Sequence, residues 1–442
     1  MVTRALRHAA VAVALAVMAA MAPTAAHSET AGAGDAAALR ILLVGDSVTH
    51  GSAGDWTWRH RLHQHLTAAG VDFDFVGPSN DLYDNVAGTA GSFAYADPAF
   101  DTDHAAKWGM WISRIKYPIG DLVATYDPDI VVEMLGVNDL AHGVWHGAVA
   151  YEVAELVRDA RAVKPTVDVV VAEATQHWLP GVPAFNTALD GVAGRLSTPE
   201  STVVVADTAT GYDAAAHTWD GSHPNARGEV RIAAAVADSL HVLGVGPGVE
   251  HPPPPPPVGP RTAAQLTVRA GDGSVDLRWT GSPGATGQYV WVRDRTLDGP
   301  WDRMPAQVTG TSSTLDSLDN GHRYQFRTQP VKGDDEPEGE VFSNVVAATP
   351  RPPAPAWLRA EGGRSCARLS WTAPVGASAY RVLLRQDDGW RVLARPDRPS
   401  AVVQDLPPAT SWVIGVQAIR DGVRSVPAPV RVLRDRSVES CR

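Results

Sequence analysis

Six consecutive prolines, Pro252–Pro257, cut this chain of 442 residues into two parts that cannot share one helix or one strand. Proline has no backbone N–H to donate and holds φ near about −65°, so a run of it is barred from helix interiors and central strands. The run adopts the extended polyproline conformation. The stretch 251–260 is therefore expected to be a semi-rigid linker, with a proline run of roughly 20 Å at about 3.1 Å per residue. The two sides of that boundary also differ in hydrophobic period, so they are read separately.

On the N-terminal side, short β-branched apolar runs alternate with helical patterns. Arg40–Val44, Phe73–Val76, Ile130–Leu135, Val167–Ala172 and Thr202–Ala206 read as strands buried on both faces. Trp56–Ala69, Val149–Val163, Phe185–Leu196 and Ala226–Leu243 read as the helices between them. This order predicts an α/β domain over 38–245, a parallel sheet covered by helices on both faces. On the C-terminal side the period is two. Val275–Trp279 and Ala367–Trp371 alternate inward and outward residues, and Tyr289–Val292 and Tyr380–Leu384 follow at similar intervals. Trp279 and Trp371 mark an internal repeat. In the first copy, Leu318–Phe326 fits a tyrosine corner built on Tyr324; in the second, Trp412 stands in the tyrosine position. These residues resemble tandem fibronectin type III domains over 262–349 and 353–436, two all-β sandwiches. Neither carries a cluster of catalytic polar groups, and their tryptophans are expected in the cores. The sandwiches are candidates for contacting glycan or a cell surface.

Ahead of all this, Met1–Ala26 has Arg4 and Arg7, an Ala/Val/Met run and a small-residue end, the pattern of a secretory signal peptide. The chain is expected to be secreted and extracellular, with no stable membrane insertion. Its net charge of −11 and the lack of a basic stripe argue against nucleic acid as a partner. The two cysteines, Cys366 and Cys441, are expected to pair in an oxidising compartment and to tie the C-terminal tail to the last sandwich. No cysteine is left for catalysis or for a zinc–thiolate site, and no cofactor or metal is expected.

The chemistry is sought at strand ends, where open α/β sheets bind their ligands. Gly45-Asp46-Ser47 follows the first strand. A serine there needs a base, and the base needs an orienting group. Asp220-Gly221-Ser222-His223-Pro224 supplies both at a spacing of three, although a helix-capping turn has the same composition. Leu135-Gly136-Val137-Asn138-Asp139 ends another strand, and the Asn138 amide can donate to an oxyanion. Lys107-Trp108-Gly109 offers a further backbone N–H, with Gly88 and Gly91 as alternatives. His217 is a rival base without an acid three residues before it. The acidic positions Asp97, Asp101 and Asp103 read as a solvated loop in preference to a calcium site.

Together, Gly-Asp-Ser, Gly-x-Asn-Asp and Asp-x-x-His-Pro resemble the SGNH (GDSL) hydrolase family over 38–245. The resemblance implies a flavodoxin-like three-layer α/β/α fold and hydrolysis of carboxylic esters. It also implies Ser47 as nucleophile, His223 as base, Asp220 as its orienting acid, and an oxyanion hole formed by Ser47, Gly109 and Asn138. His104–Gly109 further resembles carbohydrate-esterase members, in which His-Glu-Gly precedes that glycine; Ala105 and Ala106 depart from this pattern. Seven tryptophans lie in this half, and Trp108 and Trp219 flank the proposed site. The expected substrate is a short-chain (acetyl) ester on a polysaccharide such as acetylated xylan. The alternatives are a lipase or phospholipase acting on longer chains, and a non-catalytic glycan-binding or adhesive protein.

Overall fold

The first strand fixes the architecture. In β1 (Leu39–Gly45) five successive residues are buried, so both faces must be covered. The computed structural model describes residues 37–114, 118–339 and 341–441; the leader expected over 1–26 lies outside them. β2 (Phe73–Val76), β3 (Ile130–Met134), β4 (Asp168–Ala172) and β5 (Val203–Ala206) complete a parallel sheet in the order β2-β1-β3-β4-β5. Ile41 and Leu43 face one side, against α1 (Trp58–Ala68) and α5 (Ala226–Val242), through Trp58, Leu62, Ile232 and Val236. Leu42 and Val44 face the other. There α2 (Ile119–Tyr126), α3 (His146–Val163) and α4 (Val182–Leu196) supply Leu122, Val153, Val157, Phe185 and Leu189. This is the three-layer arrangement expected from the alternating pattern.

The element ends differ from the sequence reading in instructive ways. Helix α1 starts at Trp58 and not at Trp56, because Thr57 sits at φ +72° and its side chain accepts the His60 N–H. Helix α2 and a hairpin of Leu82–Asp84 with Thr89–Ser92 were not expected. The hairpin has exposed alanine and glycine where strand patterns look for apolar alternation. A two-residue strand, Ala105–Ala106, pairs with Val44–Gly45 just beyond the reach of β2. It brings the Lys107–Met110 turn to the carboxyl end of β1.

After the proline run the sheets are antiparallel. The first sandwich packs Leu266–Ala270, Val275–Trp279 and Ser312–Leu315 against a second sheet of four strands. That second sheet holds Gly287–Asp294 and Tyr324–Val331 at its centre. The Tyr324 hydroxyl accepts the Asp319 N–H at 3.1 Å, which closes the expected corner. In the second sandwich Trp412 Nε1–H donates to the Pro407 carbonyl at 2.9 Å, so the indole performs the same bridging over the same spacing. Cys366 and Cys441 are disulfide-bonded, as expected. The proline run does not hold the first sandwich away from the α/β part: Gly54 and Gly284 bring the two backbones together, so that a Cβ on Gly284 would lie 2.0 Å from the Ala53 carbonyl oxygen.

Candidate active site

Ser47 opens a single helical turn, Ser47–His50, at the end of β1. Asp46 caps that turn, its Oδ1 accepting the Val48 N–H at 3.0 Å. Glycine is required at position 45, where a Cβ would fall 2.1 Å from Thr49 Oγ1. Ser47 is 7% exposed, enough for its hydroxyl to face the carboxyl ends of the strands.

The loop before α5 meets this hydroxyl. His223 Nε2 lies 2.9 Å from Ser47 Oγ, and His223 Nδ1 lies 2.7 Å from Asp220 Oδ2. The other carboxylate oxygen of Asp220 accepts the N–H groups of Ser222 and His223 at 3.0 and 2.8 Å. Burial opposes ionisation of Asp220, but its hydrogen bonds and the His223 charge win, and its pKa falls below the ordinary carboxylate value. A carboxylate bound this way fixes Nδ1 as the protonated nitrogen and leaves Nε2 to accept. His217 takes no part. Its Nδ1 accepts the Asp213 N–H at 2.9 Å, and burial lowers its pKa.

His223 lies between two indoles. Trp108 stacks on it at 4.2 Å between centroids and Trp219 at 5.6 Å; Tyr83 stacks on the far face of Trp108 at 4.3 Å. These flat contacts limit rotation of the imidazole ring.

Of the candidate oxyanion donors, Asn138 is held by neighbouring groups. Asn138 Nδ2 donates to Asp46 Oδ2 at 3.1 Å and to the Met110 carbonyl at 2.9 Å. Both amide hydrogens are therefore engaged, beside Ser47 but not free. Gly109 is exposed, has φ +71°, and has open space where a Cβ would be. Its need for glycine is conformational. Gly88 and Gly91 are poorer candidates, since their N–H groups already donate to the Asp84 carbonyl and to Asp81 Oδ2. Asp101 accepts the Phe75 and Asp103 N–H groups, which makes that acidic loop structural.

Sequence reasoning missed three buried carboxyls here. Asp139 receives the N–H groups of Ile112 and Ser113 and the Ser113 hydroxyl, and so pins the segment after Gly109 to the Asn138 turn. Glu133 is wholly buried in β3, and its Oε1 accepts the Leu135 N–H at 2.8 Å. Burial pushes Glu133 up to about 8, with the nearby Asp46 adding to the shift. Burial likewise pushes Asp46 up to about 7, against the Val48 N–H and the His223 charge. A charged residue inside an apolar strand is a visible signal, but its function is not visible without the neighbouring turn.

These shifts fix a pH dependence of folding. The folded chain keeps these protons to higher pH than an unfolded chain would. The stability they contribute is therefore complete below about pH 4 and is lost as pH rises toward about 8. The Glu133 share is on the order of 5 kcal/mol. Urea midpoints should fall from pH 5 to pH 8.5 in the wild type and fall less in Glu133→Gln, which keeps only the Asp46 share. Equal slopes for the two proteins would contradict this account.

Residues 43–231 match the model of the GDSL-like Lipase/Acylhydrolase family. This segment is a GDSL-like acylhydrolase domain. Its match spans the Ser47 turn, the Asn138 turn and the His223 loop. The chain is 25% identical over 217 residues to a multidomain esterase of Ruminococcus flavefaciens, covering 44% of this chain and 27% of that protein. It thus spans about a quarter of that relative's length. Among solved structures, a carbohydrate esterase family 3 protein from Talaromyces cellulolyticus is similar, at 31% identity and a TM-score of 0.41 over 46% of this chain and 97% of that one. A segment of two fibronectin type III domains from chicken tenascin is similar at 18% identity and a TM-score of 0.24, covering 38% of this chain and 98% of that one. No helix among the described residues is long and apolar enough to cross a membrane.

Proposed function

We propose that this protein is a secreted serine esterase that removes short acyl groups, acetyl above all, from a polysaccharide. The observation that carries the esterase reading is the continuous relay from Asp220 through His223 to Ser47, at 2.7 and 2.9 Å. Ser47 Oγ attacks the ester carbonyl while His223 Nε2 takes its proton, and Asp220 stabilises the imidazolium. The tetrahedral oxyanion is held by the N–H groups of Ser47 and Gly109 and by the Asn138 amide. His223 then protonates the leaving alcohol, and water repeats the cycle on the acyl-enzyme. Asn138 reaches the oxyanion by giving up its bond to the Met110 carbonyl while keeping Asp46. Asn138→Ala should therefore cost about 3–4 kcal/mol of barrier, or 10²–10³ in kcat, with KM nearly unchanged. Steady-state kinetics on one ester check this.

The short-acyl reading rests on the resemblance of His104–Gly109 to carbohydrate-esterase members of the family. The name of the Ruminococcus flavefaciens relative agrees with the esterase class and no further. Hydrolysis of p-nitrophenyl esters from acetate to palmitate tests the reading. It should peak at acetate or butyrate, and the protein should release acetate from acetylated xylan. A maximum at long chains would make the protein a lipase.

A further inference from the structure

The segment that carries the candidate base is gripped by a side chain from the first sandwich. Lys332 follows the strand Tyr324–Val331 and is 4% exposed. Its ammonium donates to Ser52 Oγ at 2.9 Å and to Asp55 Oδ1 at 2.6 Å, and lies 5.0 Å from the Trp219 ring. Ser52 stands five residues after Ser47, and Trp219 stacks on His223. One cation from the sandwich thus touches both halves of the site.

The backbone around it does the same. The Asp334 N–H donates to the Trp219 carbonyl at 2.8 Å, while the Trp219 N–H donates to the His223 carbonyl at 3.0 Å. Gly333, at φ +55°, lies so close that a Cβ would sit 1.8 Å from the Trp219 carbonyl oxygen. Asp335 accepts from Asn225 Nδ2 at 3.0 Å, and Asn225 Oδ1 caps α5 two residues after His223. A docking ion pair that served only to join two bodies would not need to reach the two segments whose separation sets the Ser47–His223 distance. Burying an ammonium is costly unless its partners are fixed. Here those partners are the Ser52–Asp55 loop and the Trp219 indole.

We propose that Lys332 of the first sandwich is a positioning residue for the esterase site, holding the Trp219–His223 segment against the Ser52–Asp55 loop. The proposal rests on the reading of Ser47 and His223 as nucleophile and base. It makes the sandwich a working part of the site. Lys332 touches no reacting atom. Its effect is on alignment, where small displacements cost about 10- to 100-fold in rate.

The test uses the full chain with Lys332→Met and Lys332→Arg, and with Arg420→Ala as control. Arg420 pairs with Asp272 between the two sandwiches, remote from this contact. Amide hydrogen exchange of 217–225 and 52–57 is read first, since it needs no substrate. In Lys332→Met both segments should exchange about 10-fold faster or more, with the β3 and β4 cores unchanged. With p-nitrophenyl acetate, kcat should fall about 10- to 100-fold and KM by less than about threefold. Lys332→Arg should recover part of both losses, and Arg420→Ala should match the wild type. Unchanged exchange in both segments overturns the proposal, as does faster exchange with kcat within about twofold of the wild type. If Lys332→Met does not fold, Asp55→Asn removes the charged partner of the ammonium while leaving Lys332 in place, and the same criteria apply. A wild type without Ser47-dependent turnover would sink the esterase reading alone, since the exchange measurement still decides whether Lys332 holds the histidine segment.

Discussion

Ser47→Ala should lower kcat on p-nitrophenyl acetate by about 10⁴-fold or more while leaving the melting temperature nearly unchanged. Ser47 contributes one hydroxyl, and its removal costs only the bond to His223 Nε2, in a turn otherwise fixed by Gly45 and the Asp46 cap. The loss is large because Ser47 and His223 act as one unit. The double variant Ser47→Ala/His223→Ala should accordingly be little worse than either single variant. A kcat that survives Ser47→Ala would end the acyl-enzyme mechanism and with it the esterase reading of this site. Additive losses would mean that the two residues act separately, in spite of their 2.9 Å contact.

The second large effect is expected at Asp220. Asp220→Asn keeps size and shape but should cost about 10⁴ in kcat. The carboxylate accepts three hydrogen bonds, from His223 Nδ1 and from the N–H groups of Ser222 and His223. An amide can accept on only one of its two heads. If its oxygen stays with the backbone N–H groups, its NH₂ faces Nδ1 and forces the proton onto Nε2. The imidazole then presents a hydrogen to Ser47 where it should accept one. The kinetic signature is a fall in kcat with KM little changed. A loss of less than about tenfold would mean that the backbone alone fixes the tautomer, and that Asp220 serves mainly to shape the turn.

How much of this was legible in the sequence depends on the range of the contact. The five strands of the α/β part were visible because residues buried on both faces leave an unbroken apolar run, as in Ile130–Val132. The Asp220–His223 pair was visible because three residues separate its members. The disulfide was visible because only two cysteines exist. The hairpin at 82–92 was not, since its strands carry glycine, alanine and polar residues and are held by turn geometry. Asp139 and Glu133 read as parts of a motif and of a strand; their roles come from N–H groups that the chain delivers from elsewhere. Lys332 was the least visible. Its partners, Ser52 and Asp55, lie 280 and 277 residues away, and an isolated lysine at a strand end reads as solvent-facing.

The close approach of Gly54 and Gly284 bears on how such a chain can change over generations. A Cβ at Gly54 would meet the Pro283 carbonyl oxygen at 2.4 Å, and one at Gly284 would meet that of Ala53 at 2.0 Å. Neither position can drift to another residue without displacing the opposite backbone. Modules of this kind are often treated as interchangeable beads. Here a transplanted sandwich would have to bring glycine at 284 and 333 and lysine at 332, or it would land on a surface shaped for something else. A change on either side of the proline run that crowds this contact is therefore felt in the backbone of the other side.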